Sequence, residues 1–322
     1  MSARFVIGKA LGSLATLAFV VVMNFFLFRV VDNDPVANLF RGQKLTDTQR
    51  AELTRQFGLD GSKLDQFGHY LTQTLHLNFG RSYVTNQSVI SEILSAAWPT
   101  IALVGVSTLL STVFGVMIGI AAAWKRRTKT DYAATSLTMV TYAMPDFWLG
   151  MLLLVMLGVT LGWFPIGGIS DPTAPDSGLG HVLDEAHHMV LPALTLTIGY
   201  LGEYALVMRS SLLDTMREDY LVLARAKGLR DVMVRNRHAV PNALLPVVTL
   251  IAINFGFVLS GAIAVETIFS WPGLGYATYN ALNGPDLPML QGLFLVFSAA
   301  VILFNFIADL LYAYLDPRVR TA

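Results

Sequence analysis

The chain has 322 residues, 54% hydrophobic and 14% charged, with a mean hydropathy of +0.56 and 22 Lys+Arg balanced by 22 Asp+Glu. Soluble domains carry about 25% charged residues, so the composition argues against a water-soluble globular enzyme. Cysteine is absent, which removes disulfides, thiolate metal sites and cysteine nucleophiles, and the neutral total gives no electrostatic footprint for nucleic acid.

A bilayer core takes roughly 20 apolar residues as helix. Residues 10–28 carry no charge and follow Arg4 and Lys9. The run exceeds the about 7–15 residues of a signal-peptide core and lacks a small-x-small cleavage site, so residues 1–31 are expected to hold an uncleaved first span. Residues 32–96 are rich in charge and glycine, too polar for lipid, and predict a small element in water. The stretch 97–313 then holds five more apolar runs, near 101–123, 136–161, 189–208, 244–268 and 289–312. Pro99 is placed to start the second, and Pro145-Asp146 interrupts the third, because proline removes a backbone donor. A polar loop is expected over 162–188, and a short tail follows at 314–322. The pattern predicts an all-α integral membrane fold with six transmembrane helices and both termini on one side.

The placement of charge orients it. Fifteen of the 22 basic residues fall in the segments on the side of the termini, and the loops 162–188 and 269–288 hold none. By the positive-inside rule the termini are cytoplasmic, which puts 32–96 outside. Seven of the fifteen lie in one loop, 209–243.

That loop is the most informative part of the chain. Helix formers run from Asp219 to Lys227, and Gly228 suits a helix-ending left-handed position with a cation in the last turn. A second short helix is expected from Asp231 to about His238, ending before Pro241. The apolar side, with Leu221, Leu223, Ala224, Leu229, Val232 and Met233, needs another surface, either the chain's own bundle or a cytoplasmic partner.

The residues Asp219-Tyr220-x-x-x-Ala224-Arg225-Ala226-Lys227-Gly228-Leu229, with His238 and Asn242 in His-Ala-x-x-Asn-Ala-Leu-Leu-Pro-Val, resemble the coupling motif of B-type permease subunits of oligopeptide and dipeptide ABC importers. Gly58-Leu59-Asp60, Phe79-Gly80-Arg81-Ser82, Gly162-Trp163-Phe164-Pro165, His188-x-x-Leu191-Pro192-Ala193, the run from Glu266 to Gly275, and Leu315-Asp316-Pro317-Arg318 extend the resemblance almost end to end. The glutamate that names the motif is replaced by Val222. The resemblance implies a type I ABC importer permease with an extracytoplasmic insertion between helices 1 and 2. It implies no cofactor on this chain, with ATP and Mg on two cytoplasmic ATPase subunits. A second homologous permease would complete a heterodimer in membrane lipid, and an extracytoplasmic binding protein would deliver the solute. Nickel and glutathione permeases share the pattern. An ion-coupled secondary transporter is the rival outside the family, though no internal repeat supports it.

Asp146, Glu203 and Glu266 lie in or beside apolar spans, where a charge costs about 2.5–3.5 kcal/mol, so they are expected to face the bundle interior. Asp146 and Glu203 are candidates to line a pathway and meet a peptide amino terminus; Glu266 is a candidate for the pathway, a gate or a structural bond. Asp309 is expected to tie span six to a neighbour. His181, Asp184, Glu185, His187 and His188 crowd one loop, but with no helical frame expected there, a metal site is not. No Gly-x-x-x-x-Gly-Lys-Ser/Thr occurs, so the chain has no phosphate-binding loop of its own.

Overall fold

The computed structural model describes residues 3–31, 46, 48–49, 54, 61–175, 177–284 and 286–315. Gly58-Leu59-Asp60, most of 32–60 and Asp316-Pro317-Arg318 lie outside the described residues. Among those described there is no β-strand, only an isolated bridge between Arg81 and Ser88.

Helix α1, Ala3–Phe25, runs on through a π-helical turn, Phe26–Val31. Helix α2, Lys63–Leu75, is started by a capping box in which Ser62 and Asp65 each bind the other's backbone N–H. Then come α3, Val89–Trp124, α4, Lys129–Ala143, and α5, Asp146–Leu153, which continues through Leu154–Thr160. Helix α6 is Leu179–Thr215. Two short helices, α7 (Asp219–Ala226) and α8 (Asp231–Met233), lead through a π-helical turn, Val234–Ala239, into α9 (Val240–Ala243). The chain ends in α10 (Leu245–Gly261), α11 (Ile263–Ile268), α12 (Leu274–Asn283) and α13 (Leu287–Leu315).

Among the described residues, four helices are long and apolar enough to cross a bilayer: Ala3–Arg29, Val89–Trp124, Leu179–Thr215 and Leu287–Tyr314. Counting each of two bent pairs as one span raises the number to six. One is α4 with α5, bent by 98° where Pro145 was expected to break the third span; the other joins Asp231–Ala243 to Leu245–Gly256 at 42°.

Several boundaries differ from the sequence expectation. Pro99 does not start its helix but lies well inside α3; packing on both sides overrides the local cost of the missing donor. Helix α6 begins at Leu179, so the histidine-rich stretch is helical rather than a loop, and Pro192 is buried inside it. Pro241 does not stop the helical run of the 219–243 segment, because it falls in the first turn of α9, where proline is best tolerated. The fifth apolar run is divided between α10 and α11.

The central contact is α3 against α6. Gly115 and Gly119 let the two backbones close: a Cβ on Gly119 would lie 2.6 Å from the Ala205 carbonyl oxygen. Gly202 plays the same part between α6 and α4, with the Thr138 carbonyl oxygen 2.6 Å from its would-be Cβ. Small residues at such crossings are how apolar helices gain packing without a hydrophobic driving force between them. Helix α13 packs on α10 and α1, and Lys9 Nζ meets Asp309 Oδ2 at 2.8 Å, the tie expected of Asp309.

At the loop-proximal end, Arg209 of α6 grips Asp131 of α4 through Nε and Nη2, at 2.9 and 3.1 Å, with Arg127 N–H on the same carboxylate at 2.9 Å. The Asp131 side chain is 6% exposed and that of Arg209 29%. Breaking a buried pair costs about 3–5 kcal/mol, reduced here to about 2–3 because solvent reaches the guanidinium. Asp131→Ala is expected to lower the thermal midpoint measurably, and Asp131→Ala with Arg209→Ala together to cost less than the sum of the single changes.

Candidate functional site

The 219–243 segment folds as a compact clasp. Gly228 adopts φ +79°, the left-handed conformation expected of it, and its N–H reaches the Arg225 carbonyl at 2.9 Å. Tyr220, His238 and Asn242 meet across the hairpin. The Asn242 amide donates to the Tyr220 hydroxyl and to the His238 carbonyl, both at 2.9 Å, and the Tyr220 hydroxyl donates to the same carbonyl at 3.3 Å.

The apolar side expected to need one covering surface is in fact split. Leu221, Ala224, Val234 and Ala239 are buried with Tyr204, Met208 and Leu212 of α6. Val222, Leu223 and Val232 point outward, 56–60% exposed, among the exposed Asp219, Arg225, Ala226, Lys227 and Gly228. The clasp therefore belongs rigidly to the bundle and still presents a small apolar face with charges around it.

A residue the sequence reading did not single out fastens it further. Trp124, last in α3, donates its indole N–H to Asp231 Oδ2 at 2.7 Å, and the Arg225 guanidinium lies over the indole ring at 5.9 Å. Both arms of the hairpin thus hold the end of α3.

Deeper in the bundle, Asp146 and Glu203 converge on one face of α6. Asp146 sits in the first turn of α5. Its carboxylate lies against Gly199, where any Cβ would collide with it. Glu203 is one turn on from Gly199 and accepts the Asn254 amide of α10 at 2.8 Å. Tyr200 is within electrostatic reach of both carboxylates.

Glu266 does not join them. A candidate for the pathway, a gate or a structural bond, it is 0% exposed, with both oxygens engaged: Oε1 accepts the Thr100 hydroxyl at 2.6 Å, and Oε2 accepts the N–H groups of Gly275 and Tyr276 at 2.7 and 3.1 Å. The Leu274 N–H binds Thr100 Oγ1 at 2.8 Å and the Trp271 indole donates to the Pro99 carbonyl at 3.0 Å. Glu266 and Thr100 together cap α12 and hold α11, α12 and α3 as one latch. Nearby, burial pushes the Tyr83 phenol above its usual pKa.

The histidines of α6 are taken up locally. His181 Nε2 is 3.2 Å from Glu185, His188 Nδ1 2.9 Å from the Asp184 carbonyl, and His187 Nε2 3.1 Å from the Trp163 carbonyl. Among the described residues no three His, Asp or Glu side chains are grouped to hold a metal ion.

The described residues thus form a helical bundle with a basic hairpin docked on one end. Residues 115–321 match the model of the family described as binding-protein-dependent transport system inner membrane component, and residues 2–104 match its N-terminal companion. The chain belongs to this family of binding-protein-dependent transport permeases. The glutathione transport system permease protein GsiC of Salmonella choleraesuis (strain SC-B67) is 37% identical over 98% of this chain and 99% of its own length. The di/tripeptide transport system permease protein DppB of Pseudomonas aeruginosa (strain UCBPP-PA14) is 35% identical over 98% of each. A solved structure of the MetNI methionine ABC transporter shares the fold, with a TM-score of 0.58 at 16% identity over 70% of this chain and 97% of that one. The chain is thus a multi-pass permease subunit of an ABC importer in a prokaryotic inner membrane.

Within the permease, three features escaped the sequence. Trp124 looked like the last residue of an apolar run. Thr100 is an unremarkable hydroxyl in a span, and the Asp131–Arg209 pair joins residues 78 apart. A tryptophan directly before Lys125-Arg126-Arg127 was the one available signal, since an indole at a helix end seeks a hydrogen-bond acceptor.

Proposed function

We propose that this permease carries peptides inward as one of two homologous permease subunits, powered by two cytoplasmic ATPase subunits and supplied by an extracytoplasmic binding protein. The observation that carries the reading is the end-to-end match to a di/tripeptide permease, joined to a hairpin that is fixed to the bundle yet offers Val222, Leu223 and Val232 outward. The glutathione permease match favours one second reading, glutathione, itself a tripeptide.

In this reading the chain has six spans with cytoplasmic termini. Residues 1–31 hold the first span, 32–96 an external insertion, 97–313 the permease core and 314–322 the tail. This chain binds no cofactor; ATP and Mg reside on the ATPase subunits. ATP binding draws the ATPases together, and the 209–243 loop receives that motion through Asp219, Arg225, Ala226, Lys227 and Gly228. The contacts of Tyr220, His238, Asn242 and the buried Ala224 keep the loop rigid enough to pass the motion to α3, α6 and α10. The bundle then alternates its access as packed bodies. Asp146 and Glu203 line the path and meet the ammonium of the peptide. Glu266 acts at the outer latch.

The deciding experiment is to reconstitute the full complex and ask which ligand-loaded binding protein raises ATP hydrolysis. Di- or tripeptides should do so; stimulation by glutathione alone selects the second reading, and stimulation by neither defeats both.

Gly228→Val tests the coupling loop. A β-branched side chain at φ +79° costs about 1–2 kcal/mol locally, too little to unfold the bundle but enough to reshape the exposed turn. Uptake is expected to fall at least about tenfold while ATP hydrolysis persists, a separation that corresponds to about 1.4 kcal/mol of lost coupling. Equal uptake in the variant and parent would remove Gly228 from the coupling surface.

A further inference from the structure

At the end of α3 opposite Trp124, a cavity of about 250 Å³ opens between residues 82–85, the first turns of α3, and helices α12 and α13. Ala96, Ala277 and Met289 give it apolar walls, and Glu92, Tyr276 and Asn280 give it polar ones. None of its lining residues is basic. Asp286, at its edge, is 2% exposed and already accepts from the Ser82 hydroxyl, the Tyr83 N–H and the Met289 N–H. Glu92 has more to offer. Its Oε1 accepts the Thr85 hydroxyl, and it stands in the first turn of α3.

The dimensions narrow the occupant. At about 250 Å³ the cavity lies just under the ~300–1,000 Å³ of small-molecule sites, a size that suits one long side chain. An aliphatic stem that lies on alanine and methionine walls and ends in a cation is the side chain that satisfies both halves of the lining. The cavity also adjoins the outer latch: Gly273 and Tyr276 line it, and the Tyr276 N–H is one of the donors held by Glu266.

We propose that this cavity receives one lysine or arginine side chain of the extracytoplasmic binding protein, with Glu92 as its counter-charge. The proposal rests on the importer reading above and on this end of the bundle facing outward. Because the occupant would touch the turn capped by Glu266, docking would bear directly on the contact between α12 and α3.

The test uses the complete complex in lipid nanodiscs, titrated with its peptide-loaded binding protein. Glu92→Gln removes the charge, Ala277→Leu fills the cavity without changing charge, and Glu92→Asp restores the charge. Each of the first two is expected to weaken docking about tenfold. Glu92→Gln alone should also flatten the loss of affinity with added salt, and Glu92→Asp should recover that salt dependence. Docking that is unchanged in both of the first two variants, at the parent's thermal midpoint, overturns the cavity assignment and leaves the importer reading standing. A parent complex that binds no binding protein overturns the importer reading and the assignment with it. A second arm compares peptides with free and acetylated amino termini: if Glu92→Gln alters only that discrimination, the cavity serves the substrate's own amine and the assignment to the binding protein fails.

Discussion

Glu266→Ala is expected to destabilise the protein by about 3–5 kcal/mol and to abolish uptake. The carboxylate is wholly enclosed and satisfies three donors on two other helices: the Thr100 hydroxyl and the N–H groups of Gly275 and Tyr276. Each buried donor left without a partner costs about 1–3 kcal/mol, and the truncation also leaves a void. The enclosure is tight: Gly273 is pressed so closely against both carboxylate oxygens that even a methyl there would collide with them. Glu266→Gln is the informative companion. A glutamine oxygen in the Oε2 position still accepts both backbone N–H groups, so only the bond to Thr100 must be rearranged. That variant should lose about 1–2 kcal/mol and retain uptake. Thermal melting in detergent, read with transport in proteoliposomes, checks the pair. If alanine and glutamine prove equally mild, the carboxylate does not hold α12. If glutamine abolishes uptake at unchanged stability, Glu266 carries its charge for transport and not for the latch.

The contrast between Glu266 and Gly228 explains what the sequence could disclose. Gly228 was legible because its role is local: a helix that runs out at a glycine behind a lysine needs no knowledge of the rest of the chain, and the left-handed φ follows from the missing Cβ. Pro145 was legible for a similar reason, since a missing N–H weakens a helix locally, and the 98° bend is where it was expected. Glu266 was conspicuous as a charge in an apolar run, but its partners are 166 residues back and about ten ahead. Only tertiary packing determines that the carboxylate is consumed by a cap and leaves none for a solute. Asp146 and Glu203 occupy the middle ground. Each was visible as an anomaly, but their convergence on one face of α6 depends on Gly199 admitting Asp146, which a single sequence does not encode. Pro99 misled for a related reason. Its local preference for a helix start was outweighed by the burial of α3 on either side.

Gly119→Leu is expected to prevent the bundle from assembling. The residue stands where α3 crosses α6, and a Cβ there would meet the Ala205 carbonyl oxygen at 2.6 Å, Met208 Cβ at 2.8 Å and the Arg209 N at 3.1 Å. Two of those three atoms are backbone, so no change of rotamer relieves the clash; the helices must separate. Overpacking in a close-packed interior costs typically about 1–3 kcal/mol where side chains can shift, and this site falls beyond that range because its neighbours are fixed. The displaced backbone includes Arg209, whose guanidinium holds Asp131 of α4, so the strain would reach that ion pair as well. Gly105, on the same helix, supplies the control: no atom lies within 4 Å of its would-be Cβ, and Gly105→Ala should be neutral or gain up to about 1 kcal/mol from reduced backbone freedom. Monodisperse yield on size exclusion, with thermal melting of whatever elutes, separates the two. A Gly119→Leu protein that elutes and melts like the parent would mean that α3 and α6 do not approach this closely, and the position of the 219–243 clasp on the end of α3 would have to be redrawn.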